Sequence, residues 1–225
     1  NPMKLKGKII DFLGDSITEG ARVENLENRY DNRLLKLCSL KAVHNYGIGG
    51  TRLSHQEKPS DIPRYDLCFC GRAYDLDPAA DLIVVYGGIN DYLHGDARFG
   101  EMSDKTPATF CGAVEFLMNL LKELYPEAKL VFMTPAHARY HGESDARPSP
   151  DPHKKPDAKP LAAYVSVIEE KAHAHGIPVL NLYEKLPIDP NRAEDRERYT
   201  ADGLHFNDEG HGILAALLAD FLRAL

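Results

Sequence analysis

The sequence predicts an α/β fold, a three-layer α/β/α sandwich around a five-stranded parallel sheet. Short apolar runs alternate along the chain with longer segments of helical periodicity. The runs show no polar alternation, as expected of strands covered by helices on both faces. The length of 225 residues suits one α/β domain with a sizeable core. Residues 1–225 therefore read as one domain, and no internal repeat is visible.

The elements follow in order. Lys8–Leu13 is a short apolar run that ends at Gly14 and reads as the first strand. Leu34, Leu35, Leu37 and Cys38 give helical spacing to the stretch Leu26–Leu40. Ala42–Tyr46 is the second strand, ending at Gly47, and Asp81–Tyr86 is the third and strongest, ending at Gly87-Gly88. Thr106–Tyr125 reads as a helix with Pro107 in its first turn. Lys129–Thr134 is the fourth strand. Leu161–His175 is helical and stops at Gly176, a natural residue just past a helix end. Ile177–Leu182 is the fifth strand, and Asn207–Leu225 the last helix, capped by Asn207 or Asp208.

One segment stands apart. Residues 136–160 contain no Ile, Leu, Val, Met or Phe, but five prolines (Pro148, Pro150, Pro152, Pro156, Pro160) and three histidines (His137, His141, His153). The expectation is a long loop outside the core, acting either as a lid over substrate or as a mobile insertion.

Composition narrows the function. A net charge of −7 argues against nucleic acid, which calls for a basic face. No apolar run approaches the roughly 20 residues that span a bilayer. The N-terminal lysines are followed only by Ile9-Ile10 before Asp11, and Met3 reads as a natural start. No signal peptide is seen, so a cytoplasmic protein is expected, although a mature secreted form would read the same. Of the four cysteines, Cys38 and Cys111 fall in helical patterns, while Cys68 and Cys70 form C-x-C rather than C-x-x-C. All four read as reduced thiols, and no metal is expected there.

Sites in open α/β sheets lie beyond the carboxyl ends of the strands. Strand one is followed by Gly14-Asp15-Ser16, strand two by Gly47-Ile48-Gly49-Gly50-Thr51, and strand three by Gly88-Ile89-Asn90-Asp91. Asp202-Gly203-Leu204-His205 leads into the last helix. Together they supply a serine, backbone amides, an amide side chain and an Asp/His pair, which is the inventory for acyl transfer. A serine hydroxyl needs a base within hydrogen-bond reach. Histidine suits that task, and an aspartate can hold its tautomer. The oxyanion then needs preorganised donors.

These four blocks, in this order, resemble the marker blocks of the SGNH/GDSL hydrolase superfamily, and they span residues 14–205. The first reads Gly-Asp-Ser-Ile, with Ile17 where some members have Leu. The resemblance implies a flavodoxin-like fold and esterase, lipase, thioesterase or carbohydrate deacetylase activity. It implies that Ser16 is nucleophile and oxyanion donor, that Gly50 and Asn90 are the other donors, and that Asp202 and His205 complete the triad. Gly49 stays open as an alternative to Gly50.

Blander readings stand beside these. Gly-Asp-Ser alone fits a strand-to-helix turn in which Asp15 bonds backbone. Asp208-x-x-His211 repeats the Asp-x-x-His spacing, but His211 sits inside the helical pattern and reads as packed or solvated. Gly47-x-Gly49-Gly50 lacks the third glycine of a dinucleotide loop. Asp91 reads as a brace for neighbouring loops. Arg52, Tyr92 and His94 are candidates for the substrate pocket.

The expected activity is hydrolysis of small acyl esters, with O-acetyl groups on carbohydrate among them, through an acyl-enzyme on Ser16 and without metal or cofactor. The expected partner is a small-molecule ester. An acyltransferase, a lysophospholipase or a thioesterase would use the same site. A non-catalytic carbohydrate-binding domain, or a metal hydrolase on Asp202, His205 and His211, are the readings from other classes.

Overall fold

A computed structural model describes residues 4–148 and 155–225. Met3, and Pro150, Pro152 and His153 of the polar segment, lie outside the described residues. Five parallel strands form the sheet: β1 (Ile9–Gly14), β2 (Ala42–Gly47), β3 (Leu82–Tyr86), β4 (Lys129–Met133) and, after a hairpin of two short strands, β7 (Val179–Leu180). The hairpin is β5 (Arg139–Tyr140) and β6 (Glu143–Ser144). The helices are α1 (Ser16–Glu19), α2 (Tyr30–Leu37), α3 (Phe69–Arg72), α4 (Ile89–Leu93) and α5 (Phe110–Leu124), then α6 (Leu161–Ala174), α7 (Leu182–Lys185), α8 (Ala193–Tyr199) and α9 (Asp208–Arg223).

The sheet order is β2-β1-β3-β4-β7, the doubly wound order whose direction of progression reverses between β1 and β3. The loops leaving those two strands diverge there and open a crevice. Gly14, at the end of β1, lies level with Gly47 on one side and Tyr86 on the other. Three of the chemically marked loops thus leave the sheet at one height.

The apolar runs are explained by a core on each face. Leu82, Val84 and Tyr86 of β3 pack with residues of α2 and α9, whereas Ile83 and Val85 pack with residues of α5 and α6. β3 is buried on both faces, so its sequence shows no alternation, whereas the edge strand β2 is half-buried throughout.

Three expected elements differ in extent, each for a local reason. The stretch Leu26–Leu40 is broken: a 3₁₀ turn at Leu26–Asn28 precedes α2, because Arg29 is extended (φ −62°, ψ 145°). The α5 helix begins at Phe110, since the Thr109 hydroxyl caps it by accepting the Gly112 N–H at 3.1 Å. Pro107 therefore lies before the helix, where its carbonyl accepts the His55 N–H. The last strand shrinks to two residues. Pro178 has no N–H to pair, and Asn181 turns away to cap α7 by accepting the Glu184 N–H at 3.0 Å. Asn207 rather than Asp208 caps α9, and the Asp208 carboxylate accepts from Glu24 N–H, Asn25 N–H and Asn28 instead. Gly176 takes the left-handed φ of 65° expected after α6, with Ile177 N–H bonded to Ala172 O.

His211 is fully buried on α9. Its Nδ1 accepts the Tyr30 N–H at 3.1 Å, so it satisfies a first-turn donor of α2, a helix whose own N-cap Arg29 supplies no side-chain bond. Nδ1 as acceptor places the ring proton on Nε2. His211 thus ties α2 to α9 and does not join Asp202 and His205, which removes the three-residue metal reading.

Burial holds His211 neutral and lowers its pKa to about 4, against the pull of Asp31 and Asp208 and with the help of Arg29 and Arg33. An unfolded histidine takes up its proton near pH 6.5. Between these values the unfolded chain binds a proton that the folded one refuses, so this contribution is complete above about pH 6.5 and is lost on acidification. At pH 4.5 the loss is expected to be about 2–3 kcal/mol. Urea unfolding at pH 7 and 4.5 should show that drop reduced by about this amount in His211→Gln; an equal drop in both proteins would refute it.

Candidate active site

The site is built from strand ends. A side chain on Gly14 would strike Thr18 Oγ1 at 2.0 Å, so β1 can turn this sharply only with glycine. Asp15 then caps α1: its Oδ1 accepts the Ile17 N–H at 3.0 Å. Burial raises its carboxyl to about 6 against that bond. Ser16 opens α1 at the mouth of the crevice.

Ser16 Oγ lies 2.8 Å from His205 Nε2, and His205 Nδ1 lies 2.6 Å from Asp202 Oδ2. Asp202 Oδ1 accepts the N–H groups of Leu204 (3.0 Å) and His205 (2.8 Å). Burial alone would push the Asp202 carboxyl up. The imidazole N–H and the two backbone N–H groups outweigh it and hold the pKa at about 2. Asp202 is therefore a carboxylate at any working pH and keeps the imidazole proton on Nδ1, which leaves Nε2 as an acceptor for the Ser16 hydroxyl.

Gly49 and Gly50 both border the cavity in front of Ser16. The Gly49 N–H is directed at Glu19 Oε1, 3.3 Å away. The Gly50 N–H has no protein acceptor among the described residues. Gly50 has φ of 77°, and a side chain there would lie 2.2 Å from the Tyr65 ring. Two constraints thus require glycine at that position. Asn90, on α4, donates through Nδ2 to Thr51 O at 3.1 Å. That bond fixes the amide beside the Gly50 loop, and its second N–H is left for the cavity.

The loop after β2 is fastened from below. Asp91 is buried; its carboxylate accepts from Leu53 N–H, Ser54 N–H and the Ser54 hydroxyl. It is a brace, as expected. Arg72 is a second brace that the sequence did not mark. Its buried guanidinium donates to Gly14 O (3.1 Å), Tyr46 O and Thr51 Oγ1 (2.8 Å). It thereby holds the ends of β1 and β2 and the Gly50 loop. Burial lowers its pKa to about 10, and Asp15 is the largest opposing charge.

The cavity has a volume of about 890 Å³. Of the expected pocket residues, Tyr92 and His94 line it and Arg52 does not. Arg52 is buried behind the wall, because its guanidinium is drawn to Asp66 (2.7 Å), Ser60 (2.9 Å) and the His94 ring (2.8 Å). The polar segment forms much of the opposite wall, through Ala138, Tyr140, His141 and Arg147. It is not excluded from the interior: Ala136, Ala138, Asp145 and Lys155 are buried. Polar contacts do what large apolar side chains would do elsewhere. Asp145 accepts from Ala138 N–H, His137 and Asn191, Asp157 accepts from Phe99 and Gly100 N–H, and the Tyr92 hydroxyl donates to Arg147 O. The Lys155 ammonium donates to Asp91 O.

Tyr65 and Tyr140 were missed among the wall residues. Tyr65 follows an irregular stretch with no periodicity. Tyr140 had a readable signal, His141-Gly142 as a turn: both take positive φ (52° and 75°), as a two-residue hairpin requires.

The sequence profile of the GDSL-like lipase/acylhydrolase family matches residues 12–213. No curated protein matches the chain in sequence. One solved structure is 30% identical, with a TM-score of 0.86 and 99% of both chains covered. A protein from Lactobacillus plantarum is 26% identical, covering 96% of this chain and 97% of its own, with a TM-score of 0.80. An acetyl-xylooligosaccharide esterase from Geobacillus shares the fold at 20% identity, with 98% and 96% covered and a TM-score of 0.60. With the profile running through nearly the whole chain and its marker residues meeting at one sheet edge, this chain belongs to the GDSL-like lipase/acylhydrolase family.

Proposed function

We propose that this family member is a serine esterase of small acyl esters, with Ser16 as nucleophile, His205 as general base and Asp202 as its partner. The observation that carries the reading is the unbroken line Ser16 Oγ, His205 Nε2, His205 Nδ1, Asp202 Oδ2 at 2.8 and 2.6 Å, opening into the cavity. His205 takes the hydroxyl proton as Ser16 attacks the acyl carbon, and Asp202 stabilises the imidazolium that forms. The Ser16 and Gly50 N–H groups and the Asn90 amide receive the oxyanion. His205 then protonates the departing alcohol, and water, activated by the same imidazole, releases the acid. No step calls for a metal.

Two features support a small acyl group on a sugar-like alcohol. Tyr65, Tyr92 and Tyr140 line the cavity, combining flat apolar faces with hydroxyl groups. The wall from the polar segment offers no long aliphatic side chain to an extended acyl tail. The Geobacillus enzyme of the same fold acts on an acetylated oligosaccharide.

On p-nitrophenyl acetate, butyrate and octanoate, acetate should turn over fastest, and chelator should have no effect. Ser16→Ala should fall to background with an unchanged melting temperature. A wild type inert on all three esters, or a fully active Ser16→Ala, would overturn the assignment.

Gly50→Ala should lower kcat on the order of 10²-fold with little change in KM, since it displaces a donor used only as the oxyanion forms. A rise in KM alone would show instead that Gly50 contributes shape rather than charge stabilisation.

A further inference from the structure

A second groove, of about 720 Å³, shares the hairpin residues Tyr140 and His141 with the ester cavity. Three arginines from separate segments line it: Arg22 after α1, Arg139 at the start of β5 and Arg196 on α8. The chain as a whole carries a net charge of −7, so this cluster runs against its overall sign. The acidic residues present are Glu197 and Asp202. The Asp202 oxygens are engaged by the His205 ring and by the Leu204 and His205 N–H groups, and Arg22 Nε comes no nearer than 4.0 Å.

Arg22 stands at the 4.0 Å limit of an ion pair with Asp202, and Arg139 and Arg196 make no ion pair among the described residues. Arg196 donates once, from Nη1 to Pro190 O at 2.9 Å. The Arg139 guanidinium makes no hydrogen bond or ion pair among the described residues, although the residue is only partly exposed. Its backbone is fixed: the Arg139 N–H donates to Gly203 O at 2.9 Å, and a side chain on Gly203 would lie 1.9 Å from Arg139 O. Arg22 sits at φ 68°, a left-handed conformation that costs a residue with a side chain and that persists only where the surroundings impose it.

We propose that this groove is an anion-binding subsite, taking a phosphate or carboxylate group carried on the alcohol side of the substrate. The planar guanidinium fork matches both groups with two parallel hydrogen bonds. The assignment to substrate rests on the esterase reading, because the groove reaches Asp202 and shares its hairpin wall with the cavity in which Ser16 lies.

The first arm of the test is calorimetric titration with inorganic phosphate at low salt. Wild type and Ser16→Ala should bind alike, with a Kd in the millimolar range. Arg139→Gln/Arg196→Gln should bind about tenfold more weakly, and the exposed Arg22→Gln, which leaves the packed residues intact, should bind more weakly to a lesser degree. No saturable binding, or equal binding by the variants, would overturn the subsite.

The second arm compares kcat/KM for monoacetylated glycerol phosphate and for monoacetylglycerol. Wild type should prefer the phosphate ester about tenfold, and the double variant should lose that preference while keeping its rate on the neutral ester. Phosphate binding without any preference would assign the groove to free anions and overturn its place in the substrate. Phosphate binding with neither ester turned over would leave the subsite standing and remove the esterase reading.

Discussion

The crevice in front of Ser16 depends on one buried guanidinium. Parallel strands end in carbonyl groups that point out of the sheet with no partner. At the reversal between β1 and β3 those ends lie beneath the loops that carry chemistry. Arg72 answers the carbonyls of Gly14 and Tyr46 together and reaches Thr51 from the same group. The Ser16 turn and the Gly50 loop are thereby fixed relative to one another. Gly14 O also accepts the Ile48 N–H and the Thr51 hydroxyl also donates to Ile48 O, so removing the guanidinium would chiefly strip Tyr46 O of its charged donor and cut the tie between the strand ends, a cost of about 1–3 kcal/mol.

Rigidity spreads from that point through polar contacts rather than through more apolar packing. Asp91 holds residues 53 and 54, and Asn90 holds Thr51 O. Asp202 holds its own turn through two N–H groups before it meets His205. Each functional side chain is locked by bonds to its own or a neighbouring loop, so the distances in the Ser16–His205–Asp202 line do not rest on the short helix α1 alone. This is the preorganisation on which charge stabilisation depends.

The strands and the marker residues were legible because each is determined locally. β3 is apolar on both faces and β1 is so apart from the buried Asp11, and Gly14, Asp15 and Ser16 follow β1 by chain connectivity. Boundaries were less legible where a single side chain decides them, as with Arg29 ahead of α2, Thr109 at α5 and Asn181 at the end of β7. Arg52 and Arg72 show the deeper limit. Both are arginines between β2 and β3, Arg72 at the end of the one-turn helix α3, and both are buried. One supports the cavity wall through His94, and the other supports the strand ends. Which carbonyl or carboxylate a long side chain meets is set by tertiary approach, and nothing in its neighbours along the chain records it.

The hairpin β5–β6 carries a wall of the cavity and meets the core only through Tyr140, which packs against its edge. It hangs on Gly203 O, on Tyr92 and on the Asp145 network. The sheet and its strand ends, which hold the marker residues, contribute most of the buried apolar surface and tolerate little change. The hairpin tip at residues 140–143 contributes little of that surface. Selection can therefore alter what enters the cavity without endangering the fold or the chemistry, so substrate range in this protein can drift faster than reaction type.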